Sequence, residues 1–134
     1  MHAFTLQEEQ EFDPEKHVEK ILGRVGEGDV TVACWEPGQV SPNHCHPGAT
    51  EIYFCSQGGG IMKTPDTTIE VKPGGFVVHP AGEVHEYTNG PERTLLFRVR
   101  YGSDMASRKV DWPSNSEWTP SPQDIEYFEK NPVG

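Results

Sequence analysis

The sequence predicts an all-β domain, an antiparallel barrel of short strands, and three observations carry that expectation. Glycine and proline are frequent, at 14 and 12 of 134 residues, and both punctuate turns rather than helix interiors. Short runs rich in Val, Ile, Thr, Tyr and Phe recur between these breaks, the pattern of strands in a sandwich or barrel. Only 34% of the residues are hydrophobic, thin for a helical bundle but adequate for strands that show one face to water.

Taken in order, residues 1–16 are acidic and mixed, with Glu8, Glu9, Glu11 and Glu15, and read as a loose lead-in in which Asp13-Pro14-Glu15 has the look of a helix start. In His17 to Val25, helix and strand signals compete. Val18, Lys20 and Leu22 alternate weakly with Glu19 and Ile21, which favours a strand. Strand runs follow at Asp29–Glu36, Glu51–Ser56, Ile61–Thr64, Thr67–Lys72, Phe76–His79, Val84–Thr88 and Thr94–Tyr101. Their breaks are Pro37-Gly38, Gly58-Gly59-Gly60, Pro65-Asp66, Pro73-Gly74, Pro80-Ala81-Gly82 and Asn89-Gly90-Pro91. The barrel domain is therefore expected over residues 17–102. Residues 103–134 form an extension expected to lie on it through Trp112 and Trp118. Ser121-Pro122-Gln123-Asp124 predicts a short C-terminal helix from Pro122 to about Glu129.

A chain of this length can bury one core without covalent staples. The formal net charge of −10 argues against a nucleic-acid partner, which needs a basic patch to neutralise phosphates. Three cysteines, Cys34, Cys45 and Cys55, do not make a disulfide framework. With neither a signal-peptide pattern nor an apolar run of membrane-spanning length, the expectation is a cytoplasmic protein without a membrane partner.

The chemistry concentrates in Gly38-Gln-Val-Ser-Pro-Asn-His44-Cys-His46-Pro-Gly-Ala-Thr-Glu51. Side chains two apart on a strand share a face, so His44 and His46 point together and Cys45 points to the core. Glu51 follows a Pro-Gly bend that can return the chain, and His85 lies on a later strand that can reach the cluster from across a barrel. Two imidazoles and a carboxylate from one segment make a good start on a metal site.

These residues also carry a resemblance. Gly38, five residues, His44, one, His46, four, Glu51, six, Gly58 resembles the first motif of the cupin superfamily. Gly74, five residues, Pro80, one, Gly82, two, His85, three, Asn89 resembles the second, and the short gap Gly59–Pro73 is similar to that of small single-domain microbial cupins. The resemblance implies a double-stranded β-helix, or jelly-roll-like, antiparallel barrel of about six to eight strands. It further implies that His44, His46, Glu51 and His85 hold one divalent metal ion, with Fe, Mn, Ni, Zn and Cu all suited to three imidazoles and a carboxylate. A homodimer is also implied, with segment 17–25 as the expected contributor because an uncovered edge strand invites pairing. Gly38, Gly58, Gly74 and Gly82 are read as turn formers, and Asn89 as a residue that holds a turn.

Candidate substrate-pocket residues are Tyr53, Met62, His79, Phe97 and Arg98. His79, at the end of a strand, can be a hydrogen-bonding support, a substrate contact or an ordinary lining residue. Cys55 shares the parity of Glu51 and Tyr53. Leu95, Phe97 and Val99 alternate with Leu96, Arg98 and Arg100. An inward arginine would pair with a substrate carboxylate, although the commoner reading of such a stripe is a solvated face. The resemblance implies a metal-dependent enzyme acting on a small carbonyl or carboxylate compound, with dioxygenase chemistry first. A non-redox lyase, isomerase or cyclase comes second, and a non-catalytic module that binds a sugar or organic acid third.

Overall fold

The computed structural model describes residues 1–41, 44–103 and 108–109. Apart from a four-residue helix, α1 (Leu6–Glu9), its regular elements are strands. They are β1 (Val18–Val25), β2 (Gly28–Trp35), β3 (His44–Cys45), β4 (Ala49–Gln57) and β5 (Gly60–Lys63), then β6 (Thr68–Val71), β7 (Phe76–His79), β8 (Glu86–Asn89), β9 (Thr94–Gly102) and β10 (Arg108–Lys109). A five-stranded sheet has the order β1-β2-β9-β4-β7, a three-stranded sheet the order β6-β5-β8, and β3 pairs with β10. All the pairings are antiparallel.

The competing segment 17–25 is a strand, and the all-β expectation holds. The strand geometry expected of His44 and His46 is present but brief, since β3 ends at Cys45. The expected C-terminal helix at 122–129, and Trp112 and Trp118 with it, lie outside the described residues. No helix among the described residues is long and apolar enough to cross a membrane.

The lead-in is not loose. Leu6 and Phe12 pack, with Val18 and Leu22, on the buried cluster Val32, Cys34 and Leu95. Pro14 and Glu15 form bends instead of a helix start, where the Glu15 N–H donates to Asp13 Oδ1 at 2.7 Å. The five-stranded sheet is consequently buried on both faces over β2 and β9, as the near-continuous burial of Thr31 to Trp35 and of Thr94 to Leu96 records. The other face meets the barrel interior, where Ala33, Trp35, Tyr53, Met62, Tyr87 and Leu96 pack together. The β4 burial pattern alternates strictly, with Ala49, Glu51, Tyr53 and Cys55 buried, so the odd-numbered residues of β4 face inward.

Register carries that parity across the sheet. Glu51 sits opposite Arg100 on β9 and His79 on β7, and Tyr53 sits opposite Arg98 and Val77. Cross-strand partners share a face. Arg98 and Arg100 therefore point into the barrel, which corrects the solvated-face reading, and Phe97 points out. Phe97 lies opposite Phe54, with its ring 6.0 Å from that of Phe4, so it is not a pocket residue. Phe76 is also outside and exposed, its ring 4.9 Å from Phe54.

Asn89 closes the far end of the barrel. Its side-chain NH2 donates to the carbonyls of Glu36 at 2.9 Å and Glu92 at 2.8 Å, and its oxygen accepts from the Tyr87 hydroxyl at 2.9 Å. Asn89→Ala would leave these buried groups unsatisfied and should lower the unfolding free energy by about 1–3 kcal/mol. Chemical denaturation measures this, and an unchanged midpoint would contradict the assignment.

Candidate metal centre

The four expected ligands come from two chain segments that the backbone ties together. His44 and His85 are cross-strand partners that exchange both backbone hydrogen bonds, at 3.2 and 2.9 Å. From β3 the chain turns at Pro47-Gly48, where the Ala49 N–H donates to the His46 carbonyl at 3.2 Å. The turn leads into β4 and aims Glu51 back at both histidines. A second turn, Pro80 to Glu83, precedes His85. Its Gly82 N–H donates to the His46 carbonyl at 2.9 Å, and Gly82 has φ +83°, a backbone state that favours glycine.

The result is one cluster. A ligand atom from each of His44, His46, Glu51 and His85 lies within 4.8 Å of the others. Donors around one ion, each at about 2.0–2.2 Å, sit about 3–4 Å apart, so the set needs only small inward shifts to surround a metal. His46, Glu51 and His85 are buried, and His44 is half-buried. Glu51 Oε1 lies 3.2 Å from His46 Nε2 and 3.0 Å from His85 Nε2. Yet these three atoms are buried without a hydrogen-bond partner among the described residues. Buried polar atoms that converge without partners fit a cation at their centre.

Three of the four ligands are held in a form that can bind. His85 Nδ1 lies 2.9 Å from the Glu83 carbonyl. A carbonyl only accepts, so Nδ1 carries the proton, and the Nε2 of the neutral ring keeps its lone pair for a metal. Burial lowers the His46 pKa to about 4, Arg100 and the neighbouring histidines add to this, and Glu51 only partly opposes it. Burial would raise the Glu51 carboxyl, but the adjacent His85, His46 and Arg98 outweigh it and hold the group well below the usual carboxylate range. Its second oxygen is tied down separately: Oε2 accepts from Arg100 Nε at 3.1 Å and from the Tyr53 hydroxyl at 3.4 Å.

The cluster lies at a cavity of about 200 Å³ that Trp35, Tyr53, Met62, Tyr87 and Arg100 help to line. Of the candidate pocket residues, Tyr53 and Met62 line this cavity. Arg98 is inward but lies beneath the cavity wall, with NH1 2.7 Å from Glu19 Oε1 and NH2 3.2 Å from the Thr31 hydroxyl. Arg100 stands at the cavity in its place. His79 is buried away from this cavity, its ring stacked on His85 at 3.8 Å and 7°, and its Nδ1 2.7 Å from Glu83 Oε1. It lines a second cavity with Met62 and Glu83. Cys45 and Cys55 are both buried, and Cys55 belongs to the interior cluster.

Sequence reasoning missed the wall built by His17 and Glu19, both of which line the metal cavity. The His17 ring stacks on Trp35 at 3.9 Å. Burial would raise the Glu19 carboxyl, but His17, with Nε2 3.7 Å away, and the charge of Arg98 outweigh it and set its pKa at about 2. The parity of Glu19 with Ala33, its cross-strand partner, was the available signal, but it needed the register.

The double variant His44→Ala/His46→Ala should lose the metal that the parent retains through purification, by elemental analysis; equal content in both would contradict the ligand set. The pH dependence has a definite sign. A ring with its pKa lowered to about 4 stays neutral and able to ligate as the pH falls through the ordinary imidazole range near 6.5. An NMR titration of the metal-free protein should therefore show the His46 ring neutral at about pH 5.5 and protonating near pH 4. A His46 midpoint near pH 6.5 would contradict this reading.

Comparison with known proteins agrees with this geometry. The sequence profile described as the cupin domain matches residues 31–97. Auxin-binding protein ABP20 of Prunus persica is 32% identical over 90 residues, an alignment that covers 58% of this chain and 42% of that protein. This chain thus spans less than half the length of that relative. Among solved structures, a protein with a double-stranded β-helix domain from Klebsiella pneumoniae superposes with a TM-score of 0.75 at 19% identity, covering 82% of this chain and 97% of that one. A structure of the DMSP lyases RdDddP and RnDddQII gives a TM-score of 0.58 at 23% identity, covering 65% of this chain and 46% of that one. Both are similar in fold. With the profile spanning both ligand segments, the chain belongs to the cupin family.

Proposed function

We propose that this cupin is a divalent-metal-dependent enzyme acting on a small carbonyl or carboxylate compound, with dioxygenase chemistry as the first reading. The observation that carries the proposal is the joining of four convergent donors to a cavity of about 200 Å³, below the usual range of drug-sized pockets. A bound divalent metal would supply Lewis acidity toward a substrate oxygen and, if redox-active, a means of using O2. The chain's own residues do the rest. Arg100, at the cavity and held against Glu51 at 3.1 Å, places positive charge where a substrate carboxylate would enter. Trp35, Tyr53 and Tyr87 supply an aromatic wall that limits water. Burial pushes both tyrosine phenols well above their ordinary pKa, so they stay protonated and add no negative charge.

A non-redox lyase, isomerase or cyclase is the second reading. It is favoured by the two functional names among the relatives, one for auxin binding and one for DMSP lyase activity, neither of which implies O2. Reconstitution with Fe(II), Mn(II), Ni(II), Zn(II) or Cu(II) under anaerobic conditions, followed by a panel of small carbonyl and carboxylate compounds and then oxygen, separates the readings. Oxygen uptake that needs both metal and a panel compound is the expected result. Anaerobic turnover would overturn the dioxygenase in favour of the second reading, and saturable binding without product would overturn both in favour of a binding module.

We also infer a homodimer that uses the outer edge of β1, which pairs with no other strand among the described residues and where Ile21 and Val25 are exposed. Light scattering should report a dimer for the parent and a monomer for Ile21→Asp. A parent that is monomeric at micromolar concentration would contradict it.

A further inference from the structure

We infer that Glu83 is a positioning residue of the metal centre, which sets His85 through two separate links. This inference rests on the metal-binding reading of the cluster.

The first link is the backbone. The Glu83 carbonyl accepts from His85 Nδ1–H at 2.9 Å, which fixes the tautomer that leaves Nε2 to the metal. That carbonyl is itself held in place. The Glu83 N–H donates to the Pro80 carbonyl at 3.0 Å, and the preceding Gly82 N–H donates to the His46 carbonyl at 2.9 Å. One turn thus fastens the segments that carry two of the ligands.

The second link is the side chain. Glu83 Oε1 lies 2.7 Å from His79 Nδ1, and the His79 ring lies flat on His85, with centroids 3.8 Å apart and planes 7° apart. A hydrogen bond to the carbonyl fixes one edge of the His85 ring but leaves its tilt free. A parallel ring across its face removes that freedom. His79 can serve only if its own plane is fixed, and the Glu83 carboxylate fixes it. His79 is 2% exposed, so the ring has no solvent to turn into. Its Nε2 is buried without a hydrogen-bond partner among the described residues. The bond at Nδ1 is thus the one hydrogen bond found for this ring among the described residues. His79 and Glu83 lie outside the four-donor set. They act on the metal through the angle at which His85 offers its lone pair, and this gives a buried histidine and a half-buried glutamate a joint role.

The test uses the full chain and Co(II) alone, with affinity measured by competition and ligand geometry read from the visible absorption of the bound ion. Glu83→Ala and His79→Ala each retain the Glu83 backbone carbonyl, so any effect reports the side-chain link. Each should weaken Co(II) binding by about 10–100-fold and alter the visible band. Glu83→Gln, which keeps an acceptor for His79 Nδ1–H, should restore the parent values. The double variant Glu83→Ala/His79→Ala should be no weaker than either single one, because the two act as a unit. In case a variant fails to fold, nitrogen NMR of the metal-free parent supplies an independent reading, which should show His79 as the Nδ1–H tautomer. The Nε2–H tautomer, additive losses in the double variant, or Co(II) binding indifferent to both side chains would overturn the inference alone. A parent that does not bind Co(II) would overturn the metal reading and this inference with it.

Discussion

The structure depends on how a buried carboxylate is compensated. Glu51 is 1% exposed in the middle of a barrel, where an ionised carboxylate alone would be too costly to keep. The fold sets positive or proton-bearing groups against one oxygen and turns the other toward two imidazoles. Arg100 and the Tyr53 hydroxyl hold Oε2, with Arg98 Nε at 3.7 Å, while His46 and His85 face Oε1. The arginines are compensated in turn, since Arg98 reaches Glu19 and Asp29. The charge of the site is thereby spread from β4 through β9 to β1, and the open side of Oε1 is left for a cation.

This compensation explains why strand register matters more here than composition. Glu51, Arg100 and His79 meet because they are opposite one another across β9, β4 and β7. A slip of one residue between β4 and β9 would send the arginines outward and bring Val99 or Tyr101 opposite the carboxylate. The apolar cover on the outer face guards against such a slip. Leu95 and Val32 are fully buried against Leu6, Phe12, Val18 and Leu22, so moving β9 would expose that surface as well.

The same argument shows what was legible in the sequence. The donor spacing was legible because the bend at Pro47-Gly48 and the period of two along a strand are local properties, as were the turns at Pro73-Gly74 and Pro80-Gly82. The inside of β9 was not legible. Leu95, Phe97 and Val99 form its more apolar stripe and so resemble a core, but that stripe packs under the lead-in and the polar stripe faces the site. Alternation tells which residues share a face but not which face is inward when both are covered. The lead-in was misread for the same reason, since Leu6 and Phe12 show a purpose only once the sheet they cover is known. Glu83 offered no local signal, because its link to His79 spans a turn whose shape depends on Gly82 and on the His46 carbonyl.

X-ray absorption at the edge of the bound metal tests the central claim, that Glu51 and three imidazoles hold one ion, most directly. The account predicts a first shell of nitrogen and oxygen only, at about 2.0–2.2 Å, with the outer scattering of several imidazole rings. A sulfur scatterer at about 2.3 Å, from Cys45 or Cys55, or a shell without imidazole scattering, would contradict it.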